Sequence, residues 1–232
     1  GYTSVGLAQS DEEMKEWLTS NKPNWGSKWQ AGDVKYKDLT GEGEVTPGAS
    51  TLENHGDLKR IGNNSPRYRV GLNLDAAWKG IDFSIFFQGV LKRDWMFDAG
   101  DPYFWGAGSG MWQAACFEEH MDYWTPENTD AYYPKPYFNE TKNQQAQDAY
   151  MQKASYLRCK NIQLGYTLPT HITEKAGISN CRIYLSCDNL FTITGLSSVY
   201  DPEAFGSYDG YGTSGKTYPL QRTISVGVNL NF

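Results

Sequence analysis

The chain has 232 residues, of which 39% are apolar and 15% aromatic, with a mean hydropathy of -0.61 and a net charge of -6. No run of about 18 apolar residues occurs, which excludes helical membrane spans, but strands that cross a membrane in about 9 to 11 alternating residues escape that test. The 21 Lys and Arg are outnumbered by 27 Asp and Glu, so there is no basic stripe for a phosphate backbone, which argues against nucleic-acid binding.

Residues 1–65 read as a surface region. The chain opens on Gly1, and its first twenty residues include Asp11, Glu12 and Glu13 but no apolar core of a secretion signal, so a mature segment or a piece of a longer chain is expected. Ser10 and Glu13 form a capping-box-like start, and residues 10–18 are predicted as a short helix. The remainder is predicted as an extended, Gly-rich excursion. Within it, Asp38-Leu-Thr-Gly-Glu-Gly-Glu-Val45 is similar to the start of a calcium loop, with Asp38, Thr40 and Glu42 at ligand positions one, three and five. Position twelve would be Ala49, which cannot supply the bidentate carboxylate. A plain turn is therefore favoured over Ca2+ at these three residues.

Residues 66–232 carry a period of two. Tyr68, Val70, Leu72, Leu74 and Ala76 alternate with Arg69, Gly71, Asn73 and Asp75; Ile81, Phe83, Ile85 and Phe87 follow in the same manner. The pattern returns at Ile162, Leu164, Tyr166 and Leu168, at Ile183 and Leu185, and most regularly at Ile224, Val226, Val228, Leu230 and Phe232. These are five strands with one apolar face. At about 3.3 Å per residue and a barrel tilt near 40°, strands of about 10 to 13 residues cover roughly the thickness of a membrane's hydrocarbon core. Soluble sandwich strands are about half that length. The expected fold is all-β: an antiparallel transmembrane β-barrel segment with long extracellular loops. The connections alternate between short ones, at residues 77–80 and 169–180, and long aromatic ones, at about 92–154 and 194–220, which is the rim asymmetry of outer-membrane barrels. With the long loops outside, the last strand runs inward and Phe232 ends on the periplasmic side.

Cys116, Cys159, Cys181 and Cys187 match no redox or zinc spacing, although two disulfides could form in an oxidising compartment. His55, His120 and His171 stand alone and read as surface or packing residues. The carboxylate pairs Glu118/Glu119 and Asp98/Asp101 have no nucleophile or base arranged beside them, and no catalysis is expected.

Several short stretches resemble a known family in order and spacing: Gly32-Asp-Val-Lys-Tyr-Lys-Asp-Leu39, Gly62-Asn-Asn-Ser-Pro66, Phe86-Phe-Gln-Gly-Val90, Asp122-Tyr-Trp-Thr-Pro-Glu-Asn128, Ala154-Ser-Tyr-Leu-Arg158, Asn161-Ile-Gln-Leu-Gly-Tyr-Thr-Leu-Pro169, Asp188-Asn-Leu190 and Tyr218-Pro-Leu-Gln-Arg222. Together they resemble the C-terminal part of the SusC/RagA-type TonB-dependent outer-membrane transporters. The resemblance implies the last five strands of a barrel of about 22 strands with a plugged lumen. It also implies import of oligosaccharides or peptides beneath a SusD-like surface lipoprotein, in the outer membrane of a Gram-negative bacterium of the Bacteroidetes type. The expected partners are that lipoprotein, the remaining strands and the plug, TonB indirectly through the plug, the cargo and outer-membrane lipid, with no resident cofactor. The plug has no counterpart in these residues. The final Phe232 resembles the C-terminal signal of barrel assembly, and as an interface aromatic it would also close the lipid-facing row.

The 8 Trp, 16 Tyr and 10 Phe concentrate in the long loops. Their rings offer rigid apolar area for a sugar face or a lid protein. The candidate contacts are Tyr103, Phe104, Trp105 and Trp112, with Gly106, Gly108 and Gly110 between them to free the backbone, and Tyr208 and Tyr211 in the later loop. Packing of loop against loop is the competing use of each ring. A soluble carbohydrate-binding β-domain is the alternative to a transporter.

Overall fold

The computed structural model describes residues 1–109, 115–138, 140–204 and 218–232. These form two compact units. One is a sheet unit of residues 65–93, 153–204 and 218–232, and the other a loop unit that contains residues 1–64 and 94–152.

In the loop unit, β1 (Ser4–Leu7) is followed by α1 (Asp11–Trp17), β2 (Lys22–Pro23), β3 (Val34–Tyr36) and β4 (Glu44–Val45). Helix α1 forms where the capping pattern placed it: the Ser10 hydroxyl accepts from the Glu13 N–H at 3.1 Å, and the Glu13 carboxylate accepts from the Gln9 N–H at 2.6 Å. The reciprocal bond thus lands one residue earlier than in the standard box, and still satisfies a free donor ahead of the helix. Lys35 also binds Glu13, and holds its carboxyl below the usual range together with the Gln9 bond. Strand β1 pairs antiparallel with β3, and β2 pairs parallel with β4.

The motif at residues 32–39 is the spine of this unit. Val34 and Tyr36 are buried, and Tyr36 meets the rings of Tyr2, Trp25 and Trp29 edge-on. Asp33 is buried against Lys142 at 2.8 Å, and its carboxylate also accepts from Asn143 at 2.8 Å and from the Gln30 N–H at 2.8 Å. Lys142 completes its shell on the carbonyls of Ser27 and Lys28 and lies 4.1 Å from the Tyr137 ring centroid. A buried charge survives only when paired and hydrogen-bonded in this way.

In the sheet unit, β5 (Arg67–Trp78), β6 (Ile81–Lys92), β8 (Gln152–Thr167), β9 (Asn180–Gly195) and β10 (Thr223–Asn231) lie in the order β10-β9-β8-β6-β5, all antiparallel. The two-residue β7 (Asp94–Trp95) precedes β8 in the chain, and the one-turn helix α2 (Thr170–Thr173) follows it. The β5–β6 turn places both Lys79 and Gly80 at positive φ, 49° and 87°, as tight hairpin turns require.

Pairing converts the period of two into two chemically opposite faces. One row reads Ala76, Phe83, Leu164, Leu185, Val226, and the next Leu74, Ile85, Ile162, Cys187, Ile224. On the other face the rows read Asp75, Ser84, Gln163, Ser186, Ser225 and Ala77, Asp82, Gly165, Tyr184, Gly227. The apolar face is open to its surroundings, with Val226 74% exposed. On the polar face Arg182 binds Asp82 through two donors and Gln163 at 2.9 Å, and lies over the Tyr184 ring. The Tyr184 ring occupies the space that a side chain at position 227 would need, so Gly227 is required by close approach.

Two strands exceed the predicted length, with β8 and β9 at 16 residues each. Register shifts let them continue: one falls between Phe86 and Phe87, another between Cys159 and Asn161. Asn189 sits near the second at φ 51°, a backbone state that Asn tolerates better than most residues, and its side chain donates to the Gln221 carbonyl at 3.0 Å. All four cysteines are free thiols.

Candidate functional site

The long loop after β6 folds into the loop unit around a ring cluster. Asp101 starts it: its carboxylate accepts from the N–H groups of Tyr103 and Phe104 at 3.0 and 2.9 Å, turning the chain so that Phe104 points inward. Phe104 stacks on Phe97 at 4.8 Å and meets Trp105 edge-on at 4.9 Å, and Trp105 in turn meets Tyr150 at 4.9 Å. Gln144 then clamps the loop at both ends, accepting from the Gly100 N–H at 2.7 Å and donating to the Gly108 carbonyl at 2.5 Å.

Beside this cluster lies a cavity of about 290 Å³ walled by Trp105, Tyr123, Tyr133, Pro134, Pro136 and Tyr137, with His120 in its lining. Residues 122–133 form its hairpin wall, closed by Trp124 N–H to the Tyr133 carbonyl and Tyr133 N–H to the Asp122 carbonyl, each 2.9 Å. Burial, with Glu119 nearby, pushes the Tyr133 phenol well above its ordinary range, and burial does the same for Tyr137, so both remain neutral at any physiological pH.

His120 is 7% exposed. Its Nδ1 accepts from the Phe117 N–H at 3.0 Å, which assigns the proton of the neutral ring to Nε2. Nε2 is buried and has no hydrogen-bond partner among the described residues. A Cβ at Gly106 would lie 2.6 Å from Nδ1, so the loop can close on this histidine only with glycine there. Asn143 and Gln144 also line the cavity but spend their amides on Asp33, Val34, Gly100 and Gly108. The chemistry on offer is therefore broad apolar ring surface and one buried N–H donor, with Lys135 and Glu140 as the charged groups of the lining.

The sequence candidates separate accordingly. Trp105 lines the cavity but is otherwise buried, 5% exposed. Phe104 is corrected: at 0% exposed it has no surface for a ligand, because Asp101 turns it into the core. Tyr103 is half-buried and stacks on Phe117 at 5.9 Å. Trp112, Tyr208 and Tyr211 lie outside the described residues. His120, read from the sequence as a surface or packing residue, packs against Phe117 and Tyr133 and also lines the cavity, a position that an isolated histidine does not signal. Asp101, one of the carboxylates weighed for catalysis, serves as a turn former.

At Asp38, Thr40 and Glu42 the chain forms a turn, the reading favoured over Ca2+ from the sequence. The Asp38 carboxylate accepts from the N–H groups of Thr40, Gly41 and Gly43 at 2.9, 2.7 and 2.6 Å and from the Thr40 hydroxyl at 3.0 Å, while Glu42 is exposed. Donors aimed at the carboxylate leave no oxygen cage for a cation. Asp57, fully buried, does the same for Leu39, Thr40 and Thr46 at 2.6, 3.1 and 2.7 Å. Asp57→Asn weakens three charge-assisted bonds at once and should cost about 1.5 to 3 kcal/mol. The expected result is faster amide exchange across residues 38–57 with unchanged exchange in β5 to β10. Equal exchange in both regions of wild type and variant would refute it.

At the far end of β8, Arg158 organises the other long loop. It donates to Thr192 at 2.7 Å and pairs with Asp201 at 2.8 Å and Glu203 at 3.3 Å, and Glu203 also pairs with Lys160 at 3.0 Å. The resembling stretch at residues 154–158 thus carries the arginine that ties this loop to the sheet.

An antiparallel sheet with one apolar and one polar face, bearing an aromatic loop unit, defines a transmembrane-type β-barrel segment. No family profile matches the sequence. The chain is 30% identical over 208 residues to TonB-dependent receptor P3 of Formosa agariphila, covering 87% of the chain and 19% of that protein. It is 26% identical to TonB-dependent receptor P26 of the same organism over 87% of the chain and 20% of that protein. The chain thus spans about a fifth of the length of the curated relatives it matches. Among solved structures, the RagAB peptide importer in its open-open state superposes with a TM-score of 0.63 at 24% identity over 100% of the chain and 22% of that structure's chain. The RagAB peptide transporter gives 0.64 at 22% identity over the same shares. The resemblance to SusC/RagA-type TonB-dependent transporters is thereby upheld, and the fold is the barrel-segment fold of those proteins.

Proposed function

We propose that the chain is part of a TonB-dependent outer-membrane importer in which β5, β6, β8, β9 and β10 form a run of barrel wall and the loop unit faces outward, beneath a SusD-like lipoprotein. The observation that carries this reading is the pairing register, which gathers the apolar rows of five strands on one largely exposed face, with Phe86 and Val90 among the exceptions on the polar side. Such a face is matched by lipid. β5 and β10 bound the sheet, so their outer edges are paired by further strands of the barrel, with energy coupled through a plug and TonB. Phe232, 86% exposed, continues the apolar row at the periplasmic rim and serves as the assembly signal. The relatives are receptors and importers, and the chain performs no catalysis.

The cargo is an oligosaccharide or a peptide, gripped or sealed in by the ring-lined cavity of the loop unit, with Trp105 and Tyr133 as walls and His120 Nε2 as the donor to a cargo carbonyl or hydroxyl. RagAB is described as a peptide importer, which puts peptide first among the cargoes to assay. The full-length receptor should leave outer-membrane vesicles in detergent and stay behind in high salt; release by salt alone would favour the soluble carbohydrate-binding alternative. In cells, His120→Phe should lower uptake of whichever cargo is carried about tenfold while receptor abundance stays at wild-type level. Unchanged uptake would remove the cavity from the transport path.

A further inference from the structure

The apolar face ends at the β5–β6 turn in a row of different character. Trp78, Ile81, Tyr166, Ile183 and Val228 pair across the strands there, on the same face as Leu164 and Val226. Trp78 and Tyr166 are both exposed. Aromatic rings at the end of an apolar band mark the depth at which hydrocarbon gives way to head groups. Tyr68, also exposed, stands on the same face at the other end of β5. At about 3.3 Å per residue and a tilt near 40°, the span from Tyr68 to Trp78 covers about 25 Å, the height of the outward apolar band of such barrels.

Lys79 adds a charge at this depth. Its Nζ lies over the Trp78 ring, 4.8 Å from the centroid, and the residue is exposed. Among the described residues no carboxylate pairs with it. Asp82, the carboxylate nearest in sequence, belongs to the polar rows and is held by Arg182. The backbone makes the choice of lysine more pointed. Positive φ at both central residues of a hairpin turn ordinarily selects Asn-Gly or Asp-Gly, so a lysine at φ 49° sits there at a conformational cost. A Cβ at Gly80 would lie 2.8 Å from the Thr167 carbonyl oxygen and 3.4 Å from the Tyr166 ring, so the turn packs closely on the end of β8. An exposed ammonium without a carboxylate, fixed beside interface rings, is matched by the phosphate of a lipid whose chains cover the row below.

We propose that Trp78, Lys79 and Tyr166 form a phospholipid head-group site at the short-turn rim, in which Lys79 pairs with the lipid phosphate and the two rings pack on the glycerol and upper acyl region. The inference rests on the reading of the apolar face as lipid-facing. It deepens that reading by naming the head-group chemistry and the residue that receives it.

The test uses the full-length receptor in vesicles of digalactosyl diacylglycerol, a neutral lipid without phosphate, doped with photoreactive phosphatidylglycerol. With the reactive group on the head, adducts are expected at residues 78–81. Their yield should fall about fivefold in Lys79→Asn, which removes the charge yet suits the positive φ, and should return in Lys79→Arg. Lys22→Gln, in the loop unit, should leave it unchanged. Unlabelled phosphatidylglycerol should compete, and inorganic phosphate should not. Adducts absent from the turn, or undiminished in Lys79→Asn, overturn the site, and equal competition by inorganic phosphate overturns a lipid as its occupant. A second probe, with the reactive group at mid-chain, should label the rows of Leu164, Leu185 and Val226. Absence of that label overturns the lipid-facing reading itself, whereas its presence beside undiminished head-group adducts in Lys79→Asn overturns the site alone.

Discussion

Lys142→Met should destabilise the loop unit by about 3 to 5 kcal/mol, the cost of leaving a buried carboxylate without its counter-charge. Asp33 and Lys142 have side chains 0% and 1% exposed. Methionine matches the length of the lysine stem and keeps contact with Trp29 and Tyr137, so the variant removes charge and donors with little change in volume. Asp33→Asn should lose a similar amount. The double variant should be less damaged than the sum of the two, by about 1 to 3 kcal/mol of coupling, because each partner's removal strands the other. Full recovery is not expected, since the Gln30 N–H and Asn143 were placed to meet a carboxylate. Amide exchange of residues 1–64 and 94–152 in the full-length receptor measures these changes. Wild-type protection in Lys142→Met would show the pair to be dispensable.

Val226→Arg should cost about 2 to 4 kcal/mol, whereas Ser225→Arg, one residue away, should cost little. The two positions are neighbours in β10 but belong to opposite rows, Val226 with Leu185 and Ser225 with Ser186. The first substitution puts a guanidinium into hydrocarbon and the second into water. Unfolding midpoints of the reconstituted receptor separate them. Equal losses at both positions would contradict the assignment of faces, and a larger loss at Ser225 would invert it.

The strands were legible because a period of two is a local signal, and Ile224 to Phe232 states it without interruption. Their ends were less so, because the shifts near Phe86 and Cys159 allow β8 and β9 to run on past the positions where alternation falters. Helix α1 was legible from Ser10 and Glu13. The loop unit was not: it joins residues 1–64 to residues 94–152, and the contact of Asp33 with Lys142 has no local trace in the sequence. Ring clusters share that difficulty. Phe104 and Trp105 are adjacent and equally aromatic, and only the turn around Asp101 decides that Phe104 is wholly interior while Trp105 also borders a cavity. At Asp38, Thr40 and Glu42 the missing acidic residue at position 49 was the local signal that favoured a turn, and a carboxylate followed by glycines is suited to collecting backbone N–H groups.

The β5–β6 hairpin also has a bearing on the order of assembly. It occupies the whole of residues 65–93, the interval between the two stretches that build the loop unit, and pairing of Arg67 with Lys92 brings the ends of that interval together. A disordered interval of about that length would oppose the union of the flanking stretches with a closure entropy on the order of 3 kcal/mol. The tight turn at Lys79 and Gly80 lets the hairpin zip locally, and the two halves of the loop unit then behave almost as if they were continuous in sequence. The sheet hairpin is thus also the clasp that makes the loop unit foldable.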